Sequence, residues 1–171
     1  MRRSRGEARD VEAAVEFLRE TKKVARVGII GLSLGGAAAI LADGAGADAI
    51  VAEAVYSSIE AAIANRLQLR FGLLGKYLSP LLSYQLDLRL GIPATKLRPI
   101  EHVGNIRVPI FFIAGAKDRR TTVEDSRALF ARANEPKSLW IIDDAAHQDF
   151  YRKDPAEYEK RVLEFLRSAE L

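Results

Sequence analysis

Residues 27–43, VGIIGLSLGGAAAILAD, contain the pattern that decides the fold. The run begins with consecutive apolar residues, which are typical of a parallel strand covered on both faces by helices. It continues into alanine-rich sequence that favours a helix and stops at Gly44, a residue type that often ends helices. Ser33 lies between these elements at the centre of a G-x-S-x-G pattern. The stretch therefore predicts a strand, a sharp turn that carries a serine, and a helix.

The glycines around Ser33 have the spacing of a turn that presents a nucleophile. Such a turn strains the serine backbone, and side chains in place of Gly31 and Gly35 would be expected to collide across it. The following helix directs its N-terminal amides toward the serine, so we expect the backbone N–H of Leu34 to stabilise an oxyanion. A glycine-rich turn that carries a serine without any reaction is the alternative interpretation.

Strands and helices alternate along most of the remaining chain. Further strands are predicted at 48–55, 108–115 and 137–143, and helices at 8–21, at 123–134 and from Pro155 onward. This alternation is typical of an α/β domain with a parallel sheet. A chain of 171 residues with 49% hydrophobic content can bury one core but is too short for two full domains. We therefore expect residues 1–171 to form one α/β domain with a mostly parallel sheet of about four strands.

Residues 58–92 depart from this alternation because they are rich in leucine and helix-forming residues. Gly72, Gly75 and Pro80 interrupt the stretch, so two or three short helices are predicted. A helical cap over a substrate pocket is one interpretation of these residues. The other is that the leucines belong to the ordinary core.

The two histidines differ in their position relative to the predicted strands. His147 lies just past the fourth strand, at the carboxyl edge of the sheet, where active sites of open α/β sheets gather. A histidine in a surface loop is the alternative there. His102 precedes its strand, so we expect it at the opposite edge or in the connection, with a structural role. His147 is therefore the candidate general base for a serine, which needs such a partner to become nucleophilic.

Asp118 is the candidate acid because it directly follows the third predicted strand and shares the same carboxyl edge. Its alternatives are a turn aspartate or a cap for the next helix. Asp143 and Asp144 lie closer to His147 in sequence, but we expect them to serve its loop. The order Ser33, Asp118, His147 is the order of the catalytic triad in α/β-hydrolases.

Three segments of the sequence resemble that superfamily directly. They are VGIIGLSLGGAAAILAD (27–43), VPIFFIAGAKD (108–118) and DDAAHQDFYRKDPAEYEKRVLEFL (143–166). They are similar to the elbow strand, the acid strand and the histidine loop of small bacterial serine hydrolases of the esterase, lysophospholipase and dienelactone-hydrolase-like kind. The resemblance covers residues 10–166. It implies that Ser33 is the nucleophile, Asp118 the acid and His147 the base.

The resemblance also implies strands that this sequence does not contain. In the superfamily the elbow strand is preceded by strands that supply half the sheet and a second oxyanion donor. Here one predicted helix precedes it, so we expect an N-terminally truncated fold in which Leu34 is the one evident donor. The elbow strand would then be an exposed edge, and we expect a second copy to cover it in a homodimer or higher homo-oligomer.

Two functions remain open at this point. The first is a serine hydrolase that cleaves small carboxylic esters through an acyl-enzyme on Ser33. The second is a catalytically feeble domain that serves as an oligomeric binding module through the apolar surface of residues 58–92. The sequence does not decide the acyl group, the alcohol, or whether a peptide or lipid is the substrate.

Composition narrows the range of partners. The net charge is +3, from 26 basic and 23 acidic residues, so we expect no nucleic-acid partner. The basic cluster at residues 1–5 is expected to be a solvated tail, and no apolar run predicts a membrane span or a secretion signal. The chain has no cysteine, which excludes disulfides and thiolate metal sites. We expect a cytoplasmic protein with a small-molecule substrate and with neither a metal nor a cofactor.

Overall fold

The computed structural model describes residues 4–90 and 93–171, and their strands form one parallel sheet. The strands are β1 (Gly28–Leu32), β2 (Ala49–Glu53), β3 (Ile110–Gly115) and β4 (Lys137–Ile142). Their spatial order, β1-β2-β3-β4, is the order of the chain. Leu32 aligns with Glu53, and Gly115 aligns with Ile142, so the carboxyl ends of the strands meet at one edge. The predicted fold class and the four predicted strands are confirmed.

Helices connect and cover these strands. They are α1 (Ser4–Glu16), α2 (Leu34–Leu41), α3 (Ile59–Phe71), α4 (Leu73–Leu90), α5 (Pro99–His102), α6 (Val123–Arg132), α7 (Phe150–Lys153) and α8 (Pro155–Ser168). A π-helical turn, Phe17–Thr21, extends α1, and 3-10 turns at Ala94–Leu97 and Val103–Asn105 flank α5. The predicted basic tail and the end of the predicted cap include residues 1–3 and 91–92, which lie outside the described residues.

Two apolar cores lie on opposite faces of the sheet because successive strand side chains point to opposite sides. The core on one face includes Ile40 of α2, Ile50, Phe112 and Leu129 of α6. The core on the other face includes Val51, Phe111, Ile113 and Val162 of α8. Every residue of β3 is buried, as expected for a strand inside a parallel sheet.

The strand β1 is covered much less well than β3. Within the described part of the chain it pairs only with β2, so it forms the edge of the sheet. Ile30 and Leu32 are 54% and 43% exposed. On this face the α8 segment approaches the start of the strand, where Leu166 and Leu171 lie near Gly28. The prediction that this strand is buried on both faces is therefore wrong, whereas the predicted exposed edge is present.

The stretch after β2 forms two helices, within the predicted two or three, and Gly72 separates them as expected. The helix α4 continues through Gly75 and Pro80, which were predicted to interrupt it. A Cβ atom at Gly75 would lie 2.3 Å from the carbonyl of Leu67 in α3. Glycine at this position therefore allows α4 to pack closely against α3, and its function is close contact rather than helix termination.

Candidate active site

Ser33 occupies the turn between β1 and α2 in a backbone conformation that is rare for a side-chain-bearing residue. Its φ is +52° and its ψ is −108°. The Ser33 N–H donates to the carbonyl oxygen of Glu53 at 2.7 Å, which ties the turn to the end of β2. The serine side chain makes no cap hydrogen bond, and the first-turn amides of a helix have no intrahelical partner. The strained turn therefore leaves both the hydroxyl and the amides of α2 available for other groups.

The glycines of this turn are needed at positions that differ from the predicted ones. A Cβ atom at Gly31 would lie 2.5 Å from the backbone nitrogen of Gly36, so the prediction for Gly31 is confirmed. At Gly35 an added Cβ would meet nothing within 4 Å, so the predicted collision there is wrong. Gly36 is the second critical residue, because its Cβ would lie 2.6 Å from the Gly31 carbonyl oxygen and 2.5 Å from a methyl group of Val55.

Asp118 follows β3 and is held by a set of hydrogen bonds. Its side chain is fully buried. One carboxylate oxygen, Oδ1, accepts from the backbone N–H groups of Arg120 at 2.8 Å and Thr121 at 3.0 Å. The other, Oδ2, accepts from the Thr121 hydroxyl at 2.6 Å and lies 2.7 Å from Nδ1 of His147. Asp118 is therefore a turn aspartate, as in the alternative interpretation, and also the partner of the histidine.

These contacts determine the charge of Asp118. Burial raises the pKa of its carboxyl group, but the hydrogen bonds from His147, from Thr121 and from the backbone outweigh burial and hold the pKa below its usual value. The carboxylate is therefore ionised at neutral pH. An ionised carboxylate accepts a hydrogen bond from His147 Nδ1–H and leaves Nε2 of a neutral imidazole free to accept a proton.

The loop that carries His147 is packed against the end of β3. A Cβ atom at Gly115 would lie 2.4 Å from the Ala145 carbonyl oxygen, and the Lys117 N–H donates to the same oxygen at 2.8 Å. The His147 side chain is 17% exposed, so the ring is shielded but can still reach solvent or a ligand. Close backbone packing thus fixes the histidine loop beside the acid.

The remaining candidates lie elsewhere. Asp144 accepts from Nζ of Lys117 at 2.5 Å, and this hydrogen bond lowers its pKa. Asp143 is exposed. His102 Nδ1 lies 3.0 Å from Oδ1 of Asp43, a residue just past α2, and this pair is at the opposite edge of the sheet, where His102 was expected.

Ser33, Asp118 and His147 follow β1, β3 and β4, so all three lie at the carboxyl edge of the parallel sheet. The structure joins Asp118 and His147 by a hydrogen bond. Across residues 4–90 and 93–171, no hydrogen bond joins the Ser33 hydroxyl to His147. Catalytic hydrogen bonds are often long in ligand-free enzymes and shorten when substrate binds.

Two buried polar residues near this edge were not identified from the sequence. Thr121 is the hydroxyl donor to Asp118, and its Oγ1 also lies 3.2 Å from His147 Nδ1. Glu53 ends β2 and accepts a hydrogen bond from the Tyr158 hydroxyl. Burial raises the pKa of Glu53. A charged residue inside an otherwise apolar strand was the available signal for Glu53.

A cavity of about 220 Å³ lies between the Asp118 loop and α3. Its lining includes Asn65, Gln68 and Leu69 of α3 and Ala116, Asp118 and Thr122 of the loop. Within the described ranges, no group of three or more His, Cys, Asp or Glu side chains could hold a metal ion. No helix among those residues is long and apolar enough to cross a membrane.

Comparison with known proteins identifies the family of this chain. The model of the dienelactone hydrolase family matches residues 2–166. The chain belongs to the dienelactone hydrolase family. The family lies within the α/β-hydrolase superfamily, so the predicted resemblance to that superfamily is confirmed.

Relatives of this dienelactone hydrolase family member are longer than the chain itself. YqkD, an uncharacterized protein of Bacillus subtilis (strain 168), is 30% identical over 162 residues, which are 92% of this chain and 53% of YqkD. The esterase Pf2001 of Pyrococcus furiosus has a similar structure, with a TM-score of 0.70 and 26% identity. The match covers 93% of this chain and 60% of Pf2001. The chain thus spans somewhat more than half the length of these proteins.

More distant structures share the fold alone. The acylaminoacyl peptidase of Pyrococcus horikoshii matches with a TM-score of 0.62 and 22% identity, covering 92% of this chain and 26% of the peptidase. An acetyl xylan esterase from Thermoanaerobacterium sp. JW/SL YS485 matches with a TM-score of 0.66 and 17% identity, covering 91% of this chain and 51% of the esterase. The four-stranded sheet and its helices are therefore common to proteins with different named activities.

Proposed function

We propose that this protein is a serine hydrolase that cleaves small carboxylic esters through an acyl-enzyme on Ser33. The observation that carries the proposal is the 2.7 Å hydrogen bond between buried Asp118 and His147, at the sheet edge that also bears the strained Ser33 turn. A serine needs a base, and the base needs an acid that orients it. These residue types, in this order along the chain, support acyl transfer rather than another reaction class.

In the proposed reaction, His147 Nε2 takes the proton from the Ser33 hydroxyl while Oγ attacks the ester carbonyl carbon. The carbonyl oxygen becomes negatively charged and accepts a hydrogen bond from the backbone N–H of Leu34, the first residue of α2. The imidazolium then gives its proton to the departing alcohol, which leaves an acyl group on Ser33. A water molecule, deprotonated by His147, attacks the acyl carbon, and the carboxylic acid leaves as Ser33 recovers its proton.

Asp118 has two functions in this reaction. It holds the imidazole with the Nδ1–H toward Oδ2, so that Nε2 faces away from the acid as the base. It also stabilises the imidazolium formed during attack, because a buried carboxylate interacts strongly with a nearby positive charge. The hydrogen bonds from Thr121 and from the Arg120 N–H keep the carboxylate ionised and in place.

Residues 58–92 are proposed to cover the acyl or alcohol group of the substrate as a helical cap. This is supported by Asn65 and Leu69 of α3, which line the cavity that also touches Asp118. A hydrophobic lining discriminates among substrates by only about 1–3 kcal/mol per methylene group. The proposal therefore concerns acyl-length preference, and the maximal rate should depend less on the cap.

A second copy of the chain is proposed to cover the β1 edge as a homodimer. Ile30, Leu32 and Leu34 are 54%, 43% and 53% exposed along this side, and unpaired strand edges of this kind readily pair. Light scattering over a dilution series tests the proposal, with Ile30→Lys as the variant that should favour the monomer. A monomer for the native chain at micromolar concentration would contradict it.

Ester hydrolysis by matched serine variants tests the proposed function. The native chain should hydrolyse 4-nitrophenyl acetate, and Ser33→Ala should reduce kcat by roughly 10⁶-fold. Ser168→Ala is the control, because Ser168 lies at the end of α8 and donates only to the Phe165 carbonyl among the described residues. Full activity in Ser33→Ala, or equal losses in the two variants, would refute the assignment. An inactive native chain would leave the binding-module function.

A further inference from the structure

A group of arginine side chains lies beside the candidate active site without acidic partners. Residues 61–86 contain Arg66, Arg70 and Lys76 but no aspartate or glutamate. Arg66 and Arg70 are four residues apart on α3, so they lie on one face of that helix. Arg120 belongs to the loop that follows Asp118. Positive charge is therefore contributed to the same region by two separate parts of the chain.

These three arginines line one cavity. Together with Leu69 they line a shallow cavity of about 500 Å³ that is widely open to solvent, between α3 and the Asp118 loop. Leu69 also lines the smaller cavity that touches Asp118, so the two spaces adjoin. A molecule that enters the arginine cavity can therefore extend from it toward Asp118.

The arginine charges are not neutralised by the protein. Among the residues that the structure describes, Arg66, Arg70 and Arg120 make no ion pair with a carboxylate. Other arginines do so, since Arg19 pairs with Asp48 at 2.7 Å and Arg98 pairs with Glu60 at 2.7 Å. Guanidinium groups remain charged at every accessible pH and present planar sets of N–H donors. The cavity is thus a concentration of uncompensated positive charge.

The two sides of the cavity are held in a fixed relation. The Asn65 side-chain amide donates to the Arg120 carbonyl oxygen at 3.2 Å and to Oδ2 of Asp125 at 3.4 Å. Asp125 is buried and also accepts from the Ser57 N–H at 3.1 Å, just before α3. This network joins α3 to the arginine-bearing loop. The backbones that carry Arg66, Arg70 and Arg120 are therefore held in place before an anion binds, and this preorganisation favours binding.

We propose that the Arg66–Arg70–Arg120 cavity binds a phosphate group carried by the substrate ester. Three guanidinium groups match a dianionic phosphate better than a monoanionic carboxylate, and arginine forms paired hydrogen bonds with phosphate oxygens. That the anion belongs to the substrate rests on the proposed esterase function. The bond cleaved remains the carboxylic ester beside Ser33, and the phosphate positions it.

The first experiment measures anion binding without catalysis. Calorimetric titration of the Ser33→Ala protein with inorganic phosphate, at constant ionic strength, should show saturable binding. The double variant Arg66→Gln/Arg70→Gln should weaken it by about tenfold or more, because charged hydrogen bonds are lost. Acetate should bind less tightly than phosphate. The control is Arg167→Gln, at the end of α8, far from the carboxyl edge; it should bind phosphate like the parent.

The second experiment compares aryl acetates that differ at one position. The substrates are 4-acetoxyphenyl phosphate, 4-acetoxybenzoate and 4-methylphenyl acetate, with phosphate, carboxylate and methyl groups para to the same ester. In the double variant, kcat/KM should fall about tenfold for the phosphate substrate and less than twofold for the methyl substrate. Arg120→Gln should also lower kcat/KM for the phosphate substrate, but by a smaller factor.

The outcomes separate this proposal from the proposed function. Absence of phosphate binding, binding unchanged in the double variant, or an equal loss in Arg167→Gln would overturn the anion site whether or not the protein is an esterase. If acetate bound more tightly than phosphate, the cavity would be a carboxylate site and the proposed phosphate site would be overturned. Phosphate binding with no difference among the three esters would overturn the substrate assignment. Ser33-dependent activity on 4-methylphenyl acetate reports the esterase function alone.

Discussion

Two parts of the carboxyl edge are built differently. At the interior part, Asp118 follows the internal, fully buried strand β3, and its side chain has no exposed surface. At the other part, Ser33 follows β1, where Ile30 is 54% exposed and the strand is a sheet edge. The acid is held by several hydrogen bonds, whereas the serine is held by the backbone of its turn and the Glu53 carbonyl.

In the proposed mechanism, this difference separates the residues that orient the base from the serine that attacks the substrate. The acid and histidine are fixed by the interior, so their geometry should persist in any assembly state of the protein. The serine depends on an edge strand whose outer side is uncovered within the described chain, so its exact placement should respond to whatever covers that edge. We therefore expect mutations around Asp118 to change the chemical step, and mutations around Ser33 to change the conformation or stability of the turn.

The largest effect is expected at the interior part, from His147→Ala. Loss of the proposed general base should reduce kcat for 4-nitrophenyl acetate by roughly 10⁶-fold. The matched control is His102→Ala, which removes a histidine bonded to Asp43 at the opposite edge and should keep native kcat. Steady-state kinetics on both variants checks this. Comparable losses in both would remove the distinction between the two histidines.

A slightly smaller loss is expected from Asp118→Asn. The amide would place an N–H group toward His147 Nδ1 and favour the wrong tautomer, so kcat should fall by roughly 10⁴-fold. Because the native pKa of Asp118 is held low, protonation of this carboxylate should not reduce the native activity until the pH falls below the usual range of aspartate. A pH–rate profile from pH 4 to 9 measures this. Near-native turnover in the variant would contradict the orienting function.

The part that carries Ser33 can be tested through its glycines. Gly36→Ala should reduce the free energy of unfolding by about 1–3 kcal/mol, because its Cβ would press on backbone and on Val55. Gly35→Ala should change it by less than about 1 kcal/mol, since its Cβ meets nothing within 4 Å. Urea denaturation of both variants gives the comparison. A larger cost at Gly35 than at Gly36 would show that the turn is built differently.

The smallest effect is expected at Glu53, which links the two parts. Burial raises the pKa of Glu53, so the folded chain holds its proton more firmly than the unfolded chain. This contribution to stability is present at acidic pH and is lost as the pH rises from the ordinary glutamate value toward the raised one. Glu53→Gln should remove that loss and be the more stable protein at pH 8, while still accepting from Tyr158.

Denaturant midpoints of the native chain and Glu53→Gln between pH 4 and 8 measure this difference. The control is Glu164→Gln, an exposed position on α8, which should follow the native curve. If the native chain instead gained stability relative to Glu53→Gln as the pH rises from 4 to 8, the prediction would be wrong. The change should be smaller than the cost of Gly36→Ala.

The sequence was sufficient for features carried by local patterns. The strand, turn and helix around Ser33 and the positions of Asp118 and His147 after successive strands follow from short-range physical rules. The parallel pairing of the strands also follows, because strands that alternate with helices are typical of a parallel sheet.

The sequence was not sufficient for contacts between distant segments. Glu53 and Tyr158 are 105 residues apart, and nothing local pairs them. Which of Gly35 and Gly36 is critical depends on the path of Val55, and the exposure of Ile30 depends on what lies beyond the sheet edge. Gly75 was expected to end a helix, but close packing of α4 against α3 requires it inside one.

Covalent labelling with a fluorophosphonate probe, followed by peptide mass spectrometry, tests the central claim most directly. The probe reacts with an activated serine and needs no knowledge of the natural substrate. We expect one modified residue, Ser33, in the native chain, and at least hundredfold slower labelling in His147→Ala. Labelling of any other serine, or labelling of Ser33 that is equally fast without His147, would contradict it.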